Sequence, residues 1–414
     1  VLVSVPASWN EYPGFGGAEK SGIFRLRLLL PKDTGPLALR VEGIYSAWTL
    51  YADGKKIWKS GAPAPTVSEV EAGPRSALVF LPEHSSVVDL QIVVSNFHYR
   101  EGGIRKPIRL GNARTLLDRE RSAQAWDLFL AGAISIIGLY HIFLFAVRRQ
   151  THAPAFLGLH CLSIAIRPLT TGEEFLFHMF PELGWHFFLS LEYYSLPLSV
   201  FFFLVFLRYL FPDRWFGPGL VVVGITGLAL LILPFLVSSL TLSKSVGFYQ
   251  VHMLASGIFG LVMLIRSVVL RKPNSLPVLL GGIPLLLGVI NDVLSARGDL
   301  NTIQFGSASL LAFVLLQSAL LSVRYARSFR QVEDLSRELK SKNQDLEKLD
   351  ELKNDFLANT SHELRTPLHG IIGITESVLQ GATGKISEET RENLRLVAAS
   401  GRRLTTLVND ILDF

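Results

Sequence analysis

Seven stretches of this chain are apolar over enough residues to cross about 30 Å of hydrocarbon, and they constrain its architecture more than any motif does. They lie at residues 126–147, 153–171, 184–207, 216–238, 245–265, 276–296 and 302–323. Composition agrees: 49% of the 414 residues are hydrophobic and 18% are charged, too apolar a balance for an ordinary soluble protein. Charges thin out across 126–323 and return after 324, so three regions in different solvents are expected, with the lipid-facing one in the middle. Seven crossings put the two ends on opposite sides. Arg148 and Arg149, Arg208 and Arg214, and then Arg266, Arg271 and Lys272 occupy the loops after spans one, three and five, while Arg324, Arg327 and Arg330 follow the seventh. The opposing loops hold only Lys244 and Arg297. The positive-inside rule therefore predicts an extracytoplasmic N-terminal region and a cytoplasmic C-terminal one. The net charge of +5 arises mostly from the first region and the loop arginines and implies no nucleic-acid partner. Cys161 is the single cysteine, which excludes a disulfide framework. The chain starts at Val1 without a leader and stops at Phe414 inside a helical pattern, so both ends are expected to be cut.

A few ionisable residues fall within the spans: Arg167 in the second, Glu192 in the third and Asp292, beside Asn291, in the sixth. All lie in the outer half of the membrane, where an isolated charge is costly and pairing or a water-filled pocket is expected. Two readings stand side by side, snorkelling with one structural ion pair, or a pocket that senses a ligand.

The outer region, residues 1–125, reads as β structure. Phe24, Leu26, Leu28 and Leu30 alternate with polar residues, as do Leu37, Leu39 and Val41, and Val88, Leu90, Ile92 and Val94. Period two with one apolar face marks half-buried strands, and Asp53-Gly54 is a hairpin turn signal. About eight such strands favour an all-β jelly-roll sandwich. The run from Trp48 to Trp58, with the later Val94 to Gly103 segment, resembles the galactose-binding-like jelly rolls of bacterial receptors. In sugar-binding modules flat aromatics stack on pyranose rings while amides and guanidinium groups hold hydroxyls. The ligand candidates are Trp48, Tyr51, Trp58, Asn96, His98, Tyr99 and Arg105, with sandwich core as the competing role for the aromatics. A carbohydrate or other small molecule is the expected ligand, and no metal site is expected.

After the seventh span no helix breaker appears for some forty residues. Val332, Leu335, Leu339, Leu346, Leu349 and Phe356 fall on alternating spacings of three and four, a seam that suits a parallel coiled-coil homodimer over 324–355 better than a single amphipathic helix. The stretch Phe356-Leu-Ala-Asn-Thr-Ser-His-Glu-Leu-Arg-Thr-Pro-Leu368 follows. Over those thirteen consecutive positions it resembles the phosphoacceptor motif of bacterial sensor histidine kinases. Leu357, Leu364, Leu368 and Ile371 share one helical face, and His362, about 200° from Leu364, faces solvent. An exposed imidazole is about half neutral near pH 7 and offers a nucleophilic nitrogen. Pro367 lacks an amide hydrogen and crowds the carbonyl of Glu363, so a bend is expected just below His362. The resemblance further implies that Glu363 orients or deprotonates His362, and that Thr366 positions water for dephosphorylation of the partner. Arg365 is either a solvated charge or a contact to an acidic partner, and His369 reads as a surface histidine.

Gly381 and Gly384 mark a turn, Ser387 can cap the next helix, and Leu394, Val397, Gly401, Leu404, Val408 and Ile411 continue at helical spacing. Two helices per chain would make a four-helix bundle in the dimer over 356–414. The whole arrangement resembles the bacterial seven-transmembrane receptors with diverse intracellular signalling modules, joined to a histidine kinase dimerisation domain. The resemblance implies a transmembrane protein-histidine kinase of the bacterial inner membrane. It would be autophosphorylated on His362 from ATP with Mg2+ and would pass the phosphate to an aspartate of a response-regulator receiver domain. The family's ATP-binding domain, with its asparagine-bearing helix and glycine-rich lid, is absent from this sequence and is expected beyond residue 414; no Gly-x-x-x-x-Gly-Lys-Ser/Thr loop occurs either. A non-enzymatic seven-transmembrane receptor signalling through its helical dimer is the alternative. A transporter is weaker, because the spans show no internal repeat.

Overall fold

The computed structural model describes residues 2–12, 16–31, 35–82, 86–297 and 305–412. Residues 302–304 at the start of the expected seventh span, the side chains of Arg297 and Ile411, and Phe414 lie outside what is described. The chain divides into two compact units, Val1–Leu321 and Ser322–Phe414.

The first unit begins with strands β1 (Ala7–Ser8), β2 (Lys20–Leu29), β3 (Leu37–Val41), β4 (Ala47–Ala52), β5 (Lys55–Ser60), β6 (Ala77–Phe80), β7 (Val87–Asn96), β8 (Gly103–Ile104) and β9 (Arg109–Asn112). Among the described residues they form a four-stranded sheet in the order β2-β7-β4-β5, a three-stranded sheet β6-β3-β9 and a small β1-β8 pair. The alternating patterns account for the register. Phe24, Leu26 and Leu28 oppose Ile92, Leu90 and Val88 across β2 and β7, so the apolar side chains of both strands share a face. Leu39, Val41 and Val79 from the smaller sheet meet Trp48, Leu50, Leu90 and Val94 from the larger in one buried core. Two sheets enclosing one core is a sandwich. Asp53 and Gly54 both adopt positive φ, 48° and 77°, the backbone that a two-residue hairpin between β4 and β5 requires.

The first long helix, α1 (Ala113–Val147), starts well before residue 126, where apolarity alone begins the span. The reason is a cap: the Asn112 side chain accepts from the amides of Arg114 and Thr115 at 3.0 and 3.3 Å, which satisfies donors that a helix start leaves open. Ala113 and Leu116 pack with Ala38 and Leu78 of the three-stranded sheet, so the sandwich and the first span share one helix. There follow α2 (Ala153–Thr170), the short α3 (Phe175–Met179), α4 (Gly184–Leu210), α5 (Phe216–Leu236), the short α6 (Ser239–Lys244), α7 (Val246–Val269), α8 (Ser275–Arg297) and α9 (Gly306–Leu379). Among the described residues, seven of the helices are long and apolar enough to cross a membrane. Ile136, Phe143, Phe235 and Val269 point outward, uncovered by protein, as lipid-facing side chains do. Polar bonds tie helix to helix inside the bundle. His141 Nε2 lies 2.7 Å from Ser318 Oγ, His160 Nδ1 lies 3.0 Å from the Ser199 carbonyl, and His252 Nδ1 lies 3.1 Å from Thr226 Oγ1. Such links join α1 to α9, α2 to α4 and α5 to α7 where no water competes.

In the second unit α9 continues as one helix to Leu379, through Pro367, and α10 spans Glu388–Leu412. Gly381 and Gly384 between them take φ near 97° and 96°, a left-handed backbone that glycine adopts without Cβ strain. Ser387 Oγ accepts from the Thr390 amide at 3.2 Å, and Glu388 and Glu389 stand in the first turn of α10, where the helix dipole favours negative charge.

Candidate functional site

Two places in the molecule concentrate polar chemistry, one in each unit. In the second, His362 is exposed, as are Glu363, Arg365, Thr366, Pro367 and His369, while Leu368 on the opposite side of the helix is buried. The period of 3.6 residues produces this split: Leu368 anchors α9 against α10, and His362, six residues earlier, is turned away. Ala398 and Gly401 supply the facing surface of α10, and a Cβ on Gly401 would come within 2.8 Å of Ile372. A small residue there lets the helices close. Arg365 donates to Asn409 at 2.9 Å and Arg402 pairs with Glu376, fixing the antiparallel hairpin below the histidine. Arg365, whose role was open between solvent and an acidic partner, is thus engaged within its own chain. Thr366 Oγ1 donates to the carbonyl of His362 at 3.2 Å, a back-bond that holds its hydroxyl one turn from the imidazole. Pro367 brings no amide to the carbonyl of Glu363.

The α10 seam divides in two. Leu394, Ala398, Gly401 and Val408 turn toward α9, whereas Val397 and Leu404 are exposed together with Leu396 and Leu407. Ile371, Leu396, Val397, Gly401 and Leu404 line an open apolar groove of about 370 Å³. Higher on α9, Val332, Leu335, Leu339, Leu346, Leu349, Leu352 and Phe356 are each 64% to 69% exposed. A single chain leaves this whole apolar seam in water.

The second place lies where the sandwich meets the bundle, within the first unit. Sequence reasoning did not find it. Arg40 of β3 is buried and pairs with Glu42 at 3.2 Å, with Glu120 of α1 at 2.5 Å and with Glu173 of the α2–α3 connection. Arg75, just before β6, pairs with Glu174 at 2.6 Å and with Glu192 of α4 at 3.0 Å, and its amide donates to Glu174 at 2.7 Å. Lys244 reaches Glu19 at 3.1 Å. Burial pushes the carboxyls of Glu173 and Glu174 above their ordinary range even against the pull of Arg40 and Arg75. The arginines cancel only part of the desolvation penalty. One available signal was the acidic pair Glu173-Glu174 in the loop between the second and third apolar runs.

The intramembrane residues resolve individually. Glu192 is paired, but with Arg75 of the sandwich rather than with another span. Asp292 accepts from the amides of Phe305 and Gly306 at 3.2 and 3.1 Å and from Asn291 at 3.3 Å, and so caps the start of α9. Arg167 is half-buried near the end of α2, where Nη1 has no partner among the described residues.

The outer ligand candidates do not gather into one site. Trp48 is wholly buried between the sheets. Asn96, also buried, donates to the carbonyls of Ala18 and Tyr99 at 3.1 and 2.7 Å. Neither offers a surface to a ligand in this structure, because inward alternation and loop bonding consume both. Tyr51 and Trp58 are half-buried on the β4–β5 hairpin, Trp58 against the core. His98 lies 3.0 Å from Ser46 Oγ, and burial lowers its pKa. Tyr99 stacks on Tyr45 at 3.8 Å between centroids, and Arg105 pairs with Glu101 at 2.5 Å with its guanidinium over the Tyr45 ring. Tyr99 and Arg105 therefore belong to the sandwich–bundle joint.

Residues 123–327 match the model of the 7TM diverse intracellular signalling region, and residues 352–414 match that of the His Kinase A (phospho-acceptor) domain. The circadian input-output histidine kinase CikA of Thermosynechococcus vestitus is 47% identical over 62 residues, 15% of this chain and 8% of that protein. Hybrid signal transduction histidine kinase D of Dictyostelium discoideum is 42% identical over 83 residues, 20% of this chain and 5% of its own length. Sensor protein SrrB of Staphylococcus aureus is 45% identical over 65 residues, 16% of this chain and 11% of SrrB. The chain thus matches only 5% to 11% of the length of these relatives. Seven apolar helices and an exposed histidine on a helical hairpin thus coincide with matches to a 7TM diverse intracellular signalling region and to a His Kinase A (phospho-acceptor) domain.

Proposed function

We propose that this chain is the sensing, membrane-spanning and phosphoacceptor part of a sensor histidine kinase that acts as a homodimer in a two-component system. The observation that carries the proposal is the exposed His362, followed by Glu363, within a matched phospho-acceptor domain. ATP with Mg2+ is the phosphate donor, held by a catalytic domain other than the residues described. The neutral imidazole attacks the γ-phosphorus in line, the N–P bond forms as the bond to the β,γ-bridging oxygen breaks, and ADP leaves. Glu363 is adjacent and takes the imidazole proton or orients the ring for attack. The phosphoryl group then passes to an aspartate of a response-regulator receiver domain. Thr366, one turn from His362, positions water for hydrolysis of the aspartyl phosphate on the receiver domain.

The signal route follows α9. One helix contains both the seventh apolar span and His362, and the exposed seam from Val332 to Phe356 pairs two such helices into a coiled coil over 324–355. Rotation or sliding of span seven then changes access to His362, with Pro367 as the weak point of the helix. The outer sandwich, read as a jelly roll, is the sensing end. Its half-buried Tyr51, Trp58 and His98 remain the residues through which a carbohydrate or small molecule would act. Orientation rests on loop charge: the sandwich touches loops poor in Lys and Arg, while Arg148, Arg149, Arg208, Arg214 and Arg271 lie in the others, which fits an extracytoplasmic sandwich and a cytoplasmic hairpin in a bacterial inner membrane.

The native gene product in membranes with labelled ATP provides the test. Acid-labile, base-stable phosphate in the wild type, absent from His362→Gln, is the expected result. No label in either protein, with a ligand still bound outside, would favour the non-enzymatic receptor.

A further inference from the structure

The joint between sandwich and bundle contains a built cation site. The guanidinium of Arg75 lies 4.9 Å from the Trp185 ring centre and 5.4 Å from that of Tyr45. Tyr45 in turn is stacked on Tyr99, and Tyr99 meets Trp185 edge-on at 6.5 Å. Two carboxylates flank the same group, Glu192 accepting from Nη2 at 3.0 Å and Glu174 lying 2.6 Å from Nε in ion-pair contact without the geometry of a hydrogen bond. A planar fork between aromatic faces, with acceptors at separate nitrogens, is what a guanidinium satisfies and a compact ammonium does not.

The parts come from two bodies. The sandwich contributes Arg75, Tyr45 and Tyr99; the bundle contributes Glu174, Glu192 and Trp185. Glu174 is almost wholly buried and sits in a left-handed backbone at φ 52°, a conformation that costs free energy unless its surroundings hold it. Trp185 is 94% buried, since its relative exposure is 6%, and its Nε1–H has no acceptor among the described residues. Without the guanidinium, the bundle half would hold two desolvated carboxylates and an unpaired indole N–H beside an aromatic wall. Arg40 has more carboxylates but, among the described residues, no aromatic ring against it; at Arg75 the carboxylates are joined by the Tyr45 and Trp185 rings.

We propose that Glu174, Glu192 and Trp185 form a guanidinium-recognition site on the outer end of the bundle, occupied by Arg75 as a tethered ligand that docks the sandwich. The site takes small guanidino compounds in place of the Arg75 side chain. The sandwich is therefore held on the bundle by an exchangeable ligand beside the apolar contacts of Tyr45, Ala72 and Tyr99 with Phe177 and Trp185.

The test uses the full chain in detergent or nanodiscs, with hydrogen exchange read at residues 72–76 and 171–185. Arg75→Ala is expected to speed exchange there by at least about tenfold, while β7 and α1, read in the same experiment, keep their protection. N-ethylguanidinium, the fragment the substitution removes, should restore the protection, and ethylammonium at the same concentration should not. Adding Glu192→Gln should abolish the rescue. Arg75→Met keeps the apolar stem and serves if the alanine variant loses protection throughout; for it the probe is guanidinium ion at concentrations below denaturing. The proposal is overturned if exchange at the joint is unchanged in the folded variant, if no guanidino probe restores it, or if ethylammonium restores it equally.

Discussion

The joint between sandwich and bundle and the α9–α10 hairpin are both held by polar contacts, yet they end in opposite states. At the joint, Arg40 is buried and Arg75 half-buried, both paired within one chain, and the Tyr45 and Trp185 rings flank Arg75. Along α9 and α10 the ion pairs are exposed, as in Arg337–Glu333 and Lys342–Glu338, and the apolar seam is uncovered. Exposed pairs contribute little and buried ones are costly to break. The first unit is therefore complete as a single chain, whereas the second presents a surface whose stabilisation must come from a partner, read here as a second copy.

This contrast can be broken from either side. The largest effect is chemical: His362→Gln should remove all acid-labile phosphate label from the native gene product while leaving dimerisation intact, measured by autoradiography beside ultracentrifugation. Next, Arg40→Met should leave Glu42, Glu120 and Glu173 without their shared cation and destabilise the first unit by about 3–5 kcal/mol, seen in thermal unfolding, with oligomeric state unchanged. An equal midpoint for variant and wild type would show that the joint is not held electrostatically. On the other side, Leu346→Lys removes one seam leucine and should weaken dimerisation by about 1.5–3 kcal/mol without moving the unfolding midpoint of the first unit. A dimer of undiminished affinity would refute the seam. A smaller change is expected from Ser318→Ala, which deprives His141 of its partner on α9 and should cost about 1 kcal/mol, read as loss of amide protection around residue 318.

The smallest effect is in pH. Burial holds His98 and His178 below the ordinary 6.5, so both favour the neutral form when folded. Their contribution is complete above pH 6.5 and is lost as pH falls below it. The first unit should soften between pH 7 and 5, and a double substitution to Gln should flatten that slope. A slope that survives the substitution points instead to the carboxylates of the joint.

Much of this was readable from local pattern. Seven apolar runs, the Asp53-Gly54 turn, the alternation of β2, β3 and β7, and the phosphoacceptor stretch each depend on neighbours within a few residues, where backbone period and side-chain chemistry act directly. His362 was expected to face solvent for that reason, and it does. The joint was not readable. Arg40 and Glu173 are 133 residues apart and Arg75 and Glu192 are 117 apart, and nothing in either neighbourhood distinguishes a buried cation from a solvated one. For the same reason Trp48 and Asn96 looked like ligand groups, although strand alternation and loop bonding turn them inward.

The sequence by itself determined that the chain carries seven apolar spans and turns His362 to solvent, because hydropathy and helical period are properties of contiguous residues. Only the tertiary structure decided that α1 starts on the sandwich at Asn112, that α10 divides its apolar seam between its own chain and an open face, and that Arg75 is seated in a carboxylate and aromatic cage. Burial of charge depends on which distant groups share a desolvated volume, and that is settled when sandwich and bundle pack.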